Sequence, residues 1–368
     1  MRETPERIER LPQQYFTALL ARVAAAAAGD GEPLVDLGRG NPEVGPPAHV
    51  VEALAESARR PDVHGYAPFS GLPALKDAIA ARYGDLYGVH IDPAREIAVL
   101  PGTKTGLMEF ALCAVERGGT IVLPDPGYPD YFSAVALAGA RHVPFTDFDM
   151  SGDAMYLNYP NNPTAAAVPE GVFEQAVEWA QRNDAWVMHD FAYGDLVFDG
   201  RKPQSFLATD GARRAGIELF SMSKTYGMAG WRLGFALGNA ELVRRIEVLQ
   251  DHAFAGIFRP VQEAGIAALT GPQDSVEERR ATYERRRDRA LEALGDIDAQ
   301  SEGTFFVWFR LPDGVTVGDV LAEHRVALAP GEGFGERGGG WARLSLAVTD
   351  ETLDLGLQRL RPLLSAAH

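Results

Sequence analysis

The densest group of reactive side chains in the sequence lies in residues 220–234. Lys224 follows an apolar run there and stands among small hydroxyl residues and glycines, where burial lowers the pKa of an amine and makes it a nucleophile toward a carbonyl carbon. The hydroxyls of Ser221 and Ser223 and the guanidinium of Arg232 are suitable donors for a dianionic phosphate. The spacing predicts one loop that holds a cofactor phosphate beside a lysine able to form a Schiff base.

Ser221 and Lys224 also have the Ser-x-x-Lys spacing of serine β-lactamases. The companion Ser-Asp-Asn element of those enzymes does not occur in the chain, and Lys224 is followed by Thr225-Tyr226. The interpretation as a phosphate and Schiff-base loop is therefore favoured.

Two further segments place polar groups where strands are expected to end. Asp190 follows an apolar run, so we expect it at the carboxyl edge of a parallel sheet, where ligands bind in α/β proteins. Residues 100–106 predict a strand, a tight turn at Gly102 and the start of a helix. The amides of Thr103 and Lys104 at that helix start would form an anion site.

The string Ser-x-Ser-Lys-Thr-Tyr-x-Met-Ala-Gly-Trp-Arg-x-Gly, which ends at Gly234, resembles the lysine loop of fold-type I pyridoxal 5′-phosphate (PLP) enzymes. The resemblance is to class I/II aminotransferases near the aspartate and LL-diaminopimelate branch, and it extends from about Leu11 to Leu364. Further segments match that family in the same order, namely residues 36–42, 64–68, 100–106, 126–129, 159–164, 189–193 and 342–345.

The resemblance implies roles around the cofactor. Lys224 would carry PLP as a Schiff base, and Asp190 would pair with the pyridinium nitrogen, because a nearby carboxylate keeps that nitrogen protonated and so maintains an electron sink. Asn162 and Tyr193 would bind the phenolic oxygen, and Tyr128 would stack on the pyridine ring. The phosphate would lie at Gly102, Thr103, Lys104, Ser221, Ser223 and Arg232.

The resemblance also implies how substrate and partner are bound. Arg343 would grip the substrate α-carboxylate at two points, with Gly40 and Asn162 close to the substrate. Tyr66 would reach the phosphate of the neighbouring subunit, which implies an active site built from two chains and a homodimer. The choice of amino donor would depend on the arm around Phe16, on Arg39 and on the partner subunit.

The implied activity is that of a PLP-dependent aminotransferase. It would move an amino group between an L-amino acid and a 2-keto acid, with the amine of Lys224 shuttling a proton after the substrate displaces it. Two alternatives remain open. One is a β-eliminating (C–S lyase-like) or cyclising PLP enzyme with the same binding residues. The other is a PLP-binding regulator, which the short amino-terminal arm disfavours because it leaves no room for a DNA-binding module.

Two departures from the family are visible. Ala165 replaces the glycine of the Asn-Pro-Thr-Gly turn, which bears on the geometry of that turn. The excursion before this turn is short, with only Pro144 to Tyr156 intervening, and we expect it to reshape one edge of the large domain rather than the cofactor site.

These segments need a scaffold, and the chain alternates short apolar runs with helical periods, which is typical of an α/β fold. The prediction is a mostly parallel sheet of the seven-stranded type with helices on both faces, in the PLP-transferase fold type I, and a smaller α+β domain. The predicted division is an arm (residues 1–35), a large PLP-binding domain (36–270) and a small domain (271–368). Predicted strands are Ile97–Leu100, Thr120–Leu123, Met155–Tyr159, Trp186–His189, Glu218–Ser221 and Leu233–Leu237.

Two segments near the carboxyl end carry no predicted function. Arg285-Arg286-Arg287 lies in a long charged helix with acidic neighbours, so we expect a solvated helix face. The glycine-rich residues 331–340 predict a mobile loop between strands.

Composition limits the remaining classes of function. The 368 residues include 51 acidic and 35 basic side chains, a formal charge of −16 that disfavours nucleic acid as a partner. Cys113 is the only cysteine, which excludes an intrachain disulfide and a CxxC metal site, and no metal is predicted. The chain begins without a signal-like apolar region and has no run of roughly 18 apolar residues, so the cytoplasm is expected and a membrane is not.

Overall fold

Helices and strands alternate along most of the chain. The computed structural model describes residues 4–29 and 31–365; residues 1–3, 30 and 366–368 of the predicted arm and small domain lie outside the described residues. The helices are α1 (Glu6–Glu9), α2 (Tyr15–Ala27), α3 (Ala48–Ala58), α4 (Pro73–Tyr87), α5 (Thr103–Ala114), α6 (Asp130–Ala138), α7 (Val172–Asn183), α8 (Ala212–Ala215), α9 (Met222–Thr225), α10 (Ala240–Ala253), α11 (Arg259–Thr270), α12 (Asp274–Leu294), α13 (Val317–His324) and α14 (Asp350–Ser365). None of these helices is both long and apolar enough to cross a membrane.

The strands are short and mostly buried. They are β1 (Val35–Asp36), β2 (Ile97–Leu100), β3 (Thr120–Leu123), β4 (Arg141–Pro144), β5 (Ala154–Asn158), β6 (Trp186–Asp190), β7 (Gly216–Ser221), β8 (Gly234–Gly238), β9 (Ala299–Gln300), β10 (Phe306–Arg310), β11 (Val326–Ala327), β12 (Ala329–Pro330) and β13 (Trp341–Ser345). The six strands predicted from the sequence all occur, two with the predicted ends and four with ends that differ by one or two residues.

The central sheet of the described chain has seven strands in the order β2-β8-β7-β6-β5-β3-β4. Strands β7, β6, β5, β3 and β4 run parallel, whereas β8 is antiparallel to both β2 and β7. Alternate residues of β2 enter different apolar clusters, Ile97 and Val99 in one and Ala98 and Leu100 in the other. Both faces of the sheet are therefore covered, as a parallel sheet requires, and the predicted α/β class is confirmed.

The register of this sheet brings the predicted polar segments to one edge. Asn158 at the end of β5 is the register partner of Asp190 at the end of β6. Gly234 at the start of β8 pairs with Ser221 on one side and with Leu100 on the other. The loops after β2, β5, β6 and β7 consequently open onto the same space.

A second, antiparallel sheet in the described residues has the order β12-β13-β10-β9 and covers that space. Arg343 in β13 lies opposite Trp308 in β10 and Ala329 in β12. A separate apolar cluster joins this sheet to α12 and α14, with Tyr283 and Leu353 among its buried members. The short strand β1 pairs in parallel with β11, which ties the start of the chain to this layer.

The prediction of a solvated face for the arginine run is wrong for two of its members. Arg286 and Arg287 are 7% and 6% exposed. Arg286 pairs with Glu43 and with Asp350, and Arg287 pairs with Asp199 at 2.6 Å. Buried guanidinium groups need such partners, and here the carboxylates come from distant parts of the chain.

The glycine-rich segment is packed and not an open loop. It forms two short 3-10 turns, Gly331–Phe334 and Glu336–Gly338, and the Phe334 ring is fully buried. A Cβ atom on Gly331 would lie 2.1 Å from the carbonyl oxygen of Gly338, and one on Gly333 would lie 1.8 Å from the Tyr15 ring. The glycines here allow close packing, which sequence alone does not distinguish from flexibility.

The short connection noted in the sequence follows β4, the edge strand farthest from β2. It packs against α7, where the Trp179 indole donates a hydrogen bond to the carbonyl of Met150 at 2.7 Å and Arg182 donates to the carbonyl of Phe148. The connection thus lies at the edge of the sheet beside β3 and β4.

Candidate active site

A cavity of about 600 Å³ lies where the carboxyl ends of β5, β6 and β7 face β13. Most predicted site residues line it, namely Gly40, Thr103, Lys104, Tyr128, Asn162, Asp190, Tyr193, Ser221, Ser223, Lys224, Arg232 and Arg343. Gly102 and Tyr66 are not among the described residues that line the cavity.

Lys224 lies in the short helix α9 that directly follows β7. Its Nζ donates a hydrogen bond to the carbonyl oxygen of Gly40 at 3.0 Å and lies 5.1 Å from the ring centroid of Phe305. Burial lowers the pKa of Lys224 to about 8, and repulsion from Arg343 and Arg232 acts in the same direction. Near neutral pH the amine is therefore far closer to its nucleophilic, neutral form than an exposed lysine.

The turn that carries Lys224 is supported from behind by buried charges. The Thr225 hydroxyl donates to Oδ2 of Asp195 at 2.7 Å, and Arg82 donates to Oδ1 of the same carboxylate at 2.6 Å. Arg82 also donates to the Tyr226 hydroxyl at 3.0 Å. These contacts lie outside the cavity lining and connect α9 to α4.

Asp190 ends β6 as predicted and is buried. The Tyr131 hydroxyl donates to its Oδ2 at 2.8 Å, and the Ala192 amide donates to its Oδ1 at 3.2 Å. Burial raises the pKa of Asp190, and these two hydrogen bonds oppose the rise. A cationic group beside this carboxylate would replace the hydration it has lost and hold it ionised.

An anion site lies at the start of α5. Gly102 precedes the helix with φ of 84°, and a Cβ atom there would lie 2.2 Å from Nη2 of Arg232. Gly102 therefore acts indirectly, by letting Arg232 approach the first-turn amides of Thr103 and Lys104, which lack carbonyl partners four residues back within the helix. The Lys104 side chain is turned to Asp130, with which it pairs at 2.9 Å.

The hydroxyl residues complete this end of the cavity. Ser221 and Ser223 are both buried, and the Ser221 Oγ accepts a hydrogen bond from the Ser223 amide at 3.2 Å. Arg232 has a left-handed backbone with φ of 56°, and its Nη1 donates to the carbonyl of Ala229 at 2.9 Å. Hydroxyls, amides and a guanidinium are thus gathered as a phosphate would require.

Arg343, in β13, is a buried cation in the lining of the same cavity. It donates to Oδ1 of Asn162 at 2.7 Å and to the carbonyl of Gly38 at 3.2 Å, and its Nε is buried without a partner. Its Cζ lies 3.9 Å from the centroid of the Phe306 ring. Arg343 pairs with no carboxylate in the described chain, and burial lowers its pKa. An unpaired buried guanidinium of this kind is a site for an anionic ligand.

The side-chain carbonyl oxygen of Asn162 accepts the hydrogen bond from Arg343, and its side-chain nitrogen bonds to none of the described residues. That nitrogen is therefore available to donate, as the predicted contact with a phenolic oxygen requires. The backbone at Ala165 has φ of 57°. This left-handed conformation explains why glycine suits that position of the turn in the family.

Two tyrosines and a glycine complete the walls. Tyr193 is buried, and the Nζ of Lys224 lies 5.8 Å from its ring centroid. The Tyr128 ring packs edge-on against Tyr131 with centroids 5.6 Å apart. A side chain on Gly40 would come within 3.1 Å of the Phe306 ring, so the absence of a side chain keeps the cavity open here.

Tyr66 lies outside the site of its own chain. It belongs to the segment between α3 and α4, and it is 87% exposed. Its ring contacts Phe69 with centroids 6.2 Å apart.

The residues present fit PLP. Two groups can bind anions. The unpartnered Nε of Arg343 can bind a carboxylate, and the guanidinium of Arg232, which lies against Gly102, can bind a phosphate. A buried carboxylate at Asp190 and an amine of lowered pKa at Lys224 line the same cavity. This donor set matches a phosphorylated aldehyde that carries a basic ring nitrogen.

Sequence reasoning missed several members of the site. Asn158 donates from its Nδ2 to the backbone carbonyl of Asp190 at 2.8 Å. Tyr131 donates from its hydroxyl to the side-chain carboxylate of Asp190. No motif in the sequence marks Tyr131, which lies in the first turn of α6. Asn158, at the end of the run Met155 to Tyr159, could have been found as a polar residue ending an apolar strand.

The family described as "Aminotransferase class I and II" matches residues 32–360. The chain therefore belongs to the class I and II aminotransferases, which are PLP-dependent enzymes of fold type I. The predictions of the family, the fold type, the cofactor and amino-group transfer are confirmed.

Individual relatives are similar over nearly their whole length. An "L-glutamine--4-(methylsulfanyl)-2-oxobutanoate aminotransferase" of Bacillus subtilis (strain 168) is 42% identical over 376 residues, which cover 96% of this chain and 94% of that relative. An LL-diaminopimelate aminotransferase of Moorella thermoacetica is 37% identical over 381 residues, which cover 97% of both chains. The substrate-bound structure of BacF from Bacillus subtilis has a TM-score of 0.92 at 36% identity and covers 99% of this chain and 98% of that one.

Proposed function

We propose that this aminotransferase attaches its cofactor to Lys224 and uses the same amine to move the substrate proton. The observation that carries the proposal is the position of Lys224, whose buried amine of lowered pKa lies in one cavity with Arg232 and Arg343. The products of the reaction are the keto acid of the donor and the amino acid of the acceptor.

Each residue has a distinct task in this scheme. When bound, PLP supplies an electron sink that weakens the Cα–H bond of the attached amino acid. Asp190 would keep the ring nitrogen protonated, and the Nζ of Lys224 would accept the proton from Cα. Arg343 holds the α-carboxylate, which fixes the orientation of Cα before the proton moves.

The remaining residues hold the cofactor in place while its covalent partner changes. Asn162 and Tyr193 bind the phenolic oxygen, and Tyr128 packs on the ring. The phosphate is held by the hydroxyls of Ser221 and Ser223, by Arg232, and by the amides of Thr103 and Lys104 after Gly102. Gly40 and Asn162 border the substrate.

Borohydride reduction followed by peptide mass mapping tests the attachment. The holoprotein should carry the reduced cofactor on Lys224, and Lys224→Ala should lose both the label and the amino-acid-dependent change in the visible spectrum. Lys104→Ala is the matched control, because this lysine lines the same cavity but pairs with Asp130. A label on another lysine, or turnover retained in Lys224→Ala, would refute the proposal.

We also propose that the enzyme is a cytoplasmic homodimer in which Tyr66 serves the neighbouring site. Tyr66 is highly exposed and is not among the described residues that line the cavity of its own chain, which supports this. A mixed dimer of one Tyr66→Phe chain and one Lys224→Ala chain should bind the cofactor normally at one of its two sites, because that site combines an intact Lys224 with an intact Tyr66 of the neighbouring chain. A monomer in analytical sedimentation would contradict the proposal.

The division into an arm (residues 1–35), a large domain (36–270) and a small domain (271–368) remains our proposal for the domain organisation. The separate apolar clusters of the central sheet and of the antiparallel sheet support it. Limited proteolysis near residue 271 tests the second boundary.

A further inference from the structure

Helix α2 presents an apolar stripe to the cavity. Phe16, Leu19, Leu20 and Val23 all line it, at the spacing that places residues on one face of a helix. The stripe spans eight residues, and the seven rises of about 1.5 Å between them make it about 10 Å long. Leu20 is 42% exposed, whereas Leu19 and Val23 are buried in the apolar cluster that also contains Trp308.

The stripe begins beside the group that holds the substrate carboxylate. The ring centroid of Phe16 lies 5.7 Å from Cζ of Arg343. An amino acid whose carboxylate is bound at Arg343 and whose amine is near Lys224 has its side chain within reach of α2. The rest of the stripe then extends away from Arg343 along the helix.

The charges of the cavity point to the same ligand class. Two of the cations that line it are paired with carboxylates, Arg39 with Asp36 at 2.9 Å and Lys104 with Asp130 at 2.9 Å. The unpaired cations Lys224, Arg232 and Arg343 are assigned to the cofactor and to the α-carboxylate. Within the described chain, a second carboxylate on the substrate would meet no free cation, and burying it against leucines would be unfavourable.

We propose that the enzyme selects amino acids with uncharged, mainly apolar side chains, and that the α2 stripe is the wall that selects them. This inference rests on the proposed function, because it takes Arg343 as the carboxylate site. It adds a substrate class to that site and makes Leu20 a specificity-determining residue.

A donor panel scored by the half-reaction in the visible spectrum tests the class. Methionine, leucine and phenylalanine should give kcat/KM values at least about tenfold above those of aspartate and glutamate, the lower end of what apolar pockets discriminate. A preference for the acidic donors would overturn the substrate class while leaving the proposed function intact. Absence of any half-reaction would overturn both.

Leu20→Ala tests the wall. It should raise KM for leucine and methionine about tenfold and leave alanine as a donor unchanged, because alanine is too short to reach the stripe. Leu355→Ala in α14 is the matched control, a helical leucine that is 41% exposed and is not among the cavity residues. An equal effect of Leu20→Ala on alanine and leucine would contradict the proposal.

A binding measurement separates recognition from turnover. Calorimetry on the holoenzyme should show tighter binding of 4-methylpentanoate than of glutarate, two unreactive carboxylates that differ in the far end of the molecule. In Leu20→Arg this order should reverse, since the new guanidinium supplies the missing cation. Tighter binding of glutarate to the unmodified enzyme would overturn the inference.

Discussion

Nη1 of Arg343 donates a hydrogen bond to Oδ1 of Asn162 at 2.7 Å, across 181 positions of sequence. The bond joins the antiparallel sheet to the turn after β5 and fixes which atoms of the two side chains remain for ligands. Arg343 retains its Nε, and Asn162 retains its amide nitrogen. A single contact thus links the proposed carboxylate site to the proposed cofactor site.

Replacing Arg343 by lysine should lower kcat/KM for every amino donor about 100-fold. A lysine cannot make the two-point contact with a carboxylate, and the lost charged hydrogen bonds are each worth about 1.5–3 kcal/mol. Steady-state kinetics on two donors measures this. Arg310→Lys in the neighbouring strand β10, where the side chain is 61% exposed, should be unaffected.

Capture of PLP by the apoenzyme should depend on pH through Lys224. The neutral amine is the reactive form, and with the pKa of Lys224 lowered to about 8 the rate should rise between pH 7 and 9 and level off above. Stopped-flow absorbance follows the reaction. Arg343→Met should move the midpoint upward, because Arg343 contributes to the lowering. A midpoint near that of an exposed lysine would contradict the burial argument.

Tyr131→Phe should lower kcat about tenfold without releasing the cofactor. The Tyr131 hydroxyl bonds to Asp190 and lowers its pKa, so removing the hydroxyl destabilises the ionised form of the carboxylate that we propose pairs with the ring nitrogen. The midpoint of the pH titration of the visible absorption band should shift in the same variant that shows the lower kcat. Tyr156→Phe is the matched control, since that hydroxyl is equally buried but bonds to the carbonyl of Leu107.

Gly102→Ala should weaken PLP binding by at least about tenfold, because the added Cβ would collide with Arg232. Gly118→Ala separates this collision from backbone strain. Gly118 has φ of 87°, close to the 84° of Gly102, and a Cβ there would meet nothing within 4 Å. Both variants should lose similar thermal stability, but only Gly102→Ala should lose affinity in a fluorescence titration. Equal affinities would show that Arg232 moves aside.

The sequence alone predicted which residues meet in the cavity where residue type and position within a motif indicate the chemistry. Lys224, Asp190 and Arg343 each stand at or beside a strand within a recognisable string, and strand ends converge at one edge of a parallel sheet. Tyr131 was not found, because its role depends on the direction of a side chain at the start of α6 and on a partner 59 residues away.

The two wrong predictions have a common cause. The burial of Arg286 and Arg287 depends on Glu43, Asp199 and Asp350, and no local charge pattern reveals such distant partners. The glycines of residues 331–340 permit close contact with other parts of the chain, including the Tyr15 ring against Gly333. In both cases tertiary packing decided what the local sequence left open.

The carboxylate of Asp195, bonded at once to Thr225 and Arg82, braces the lysine-bearing turn from outside the cavity lining. The position of the reactive amine therefore depends on a buried ion pair between α4 and the residues after β6, two parts of the chain that carry none of the predicted chemistry at that pair.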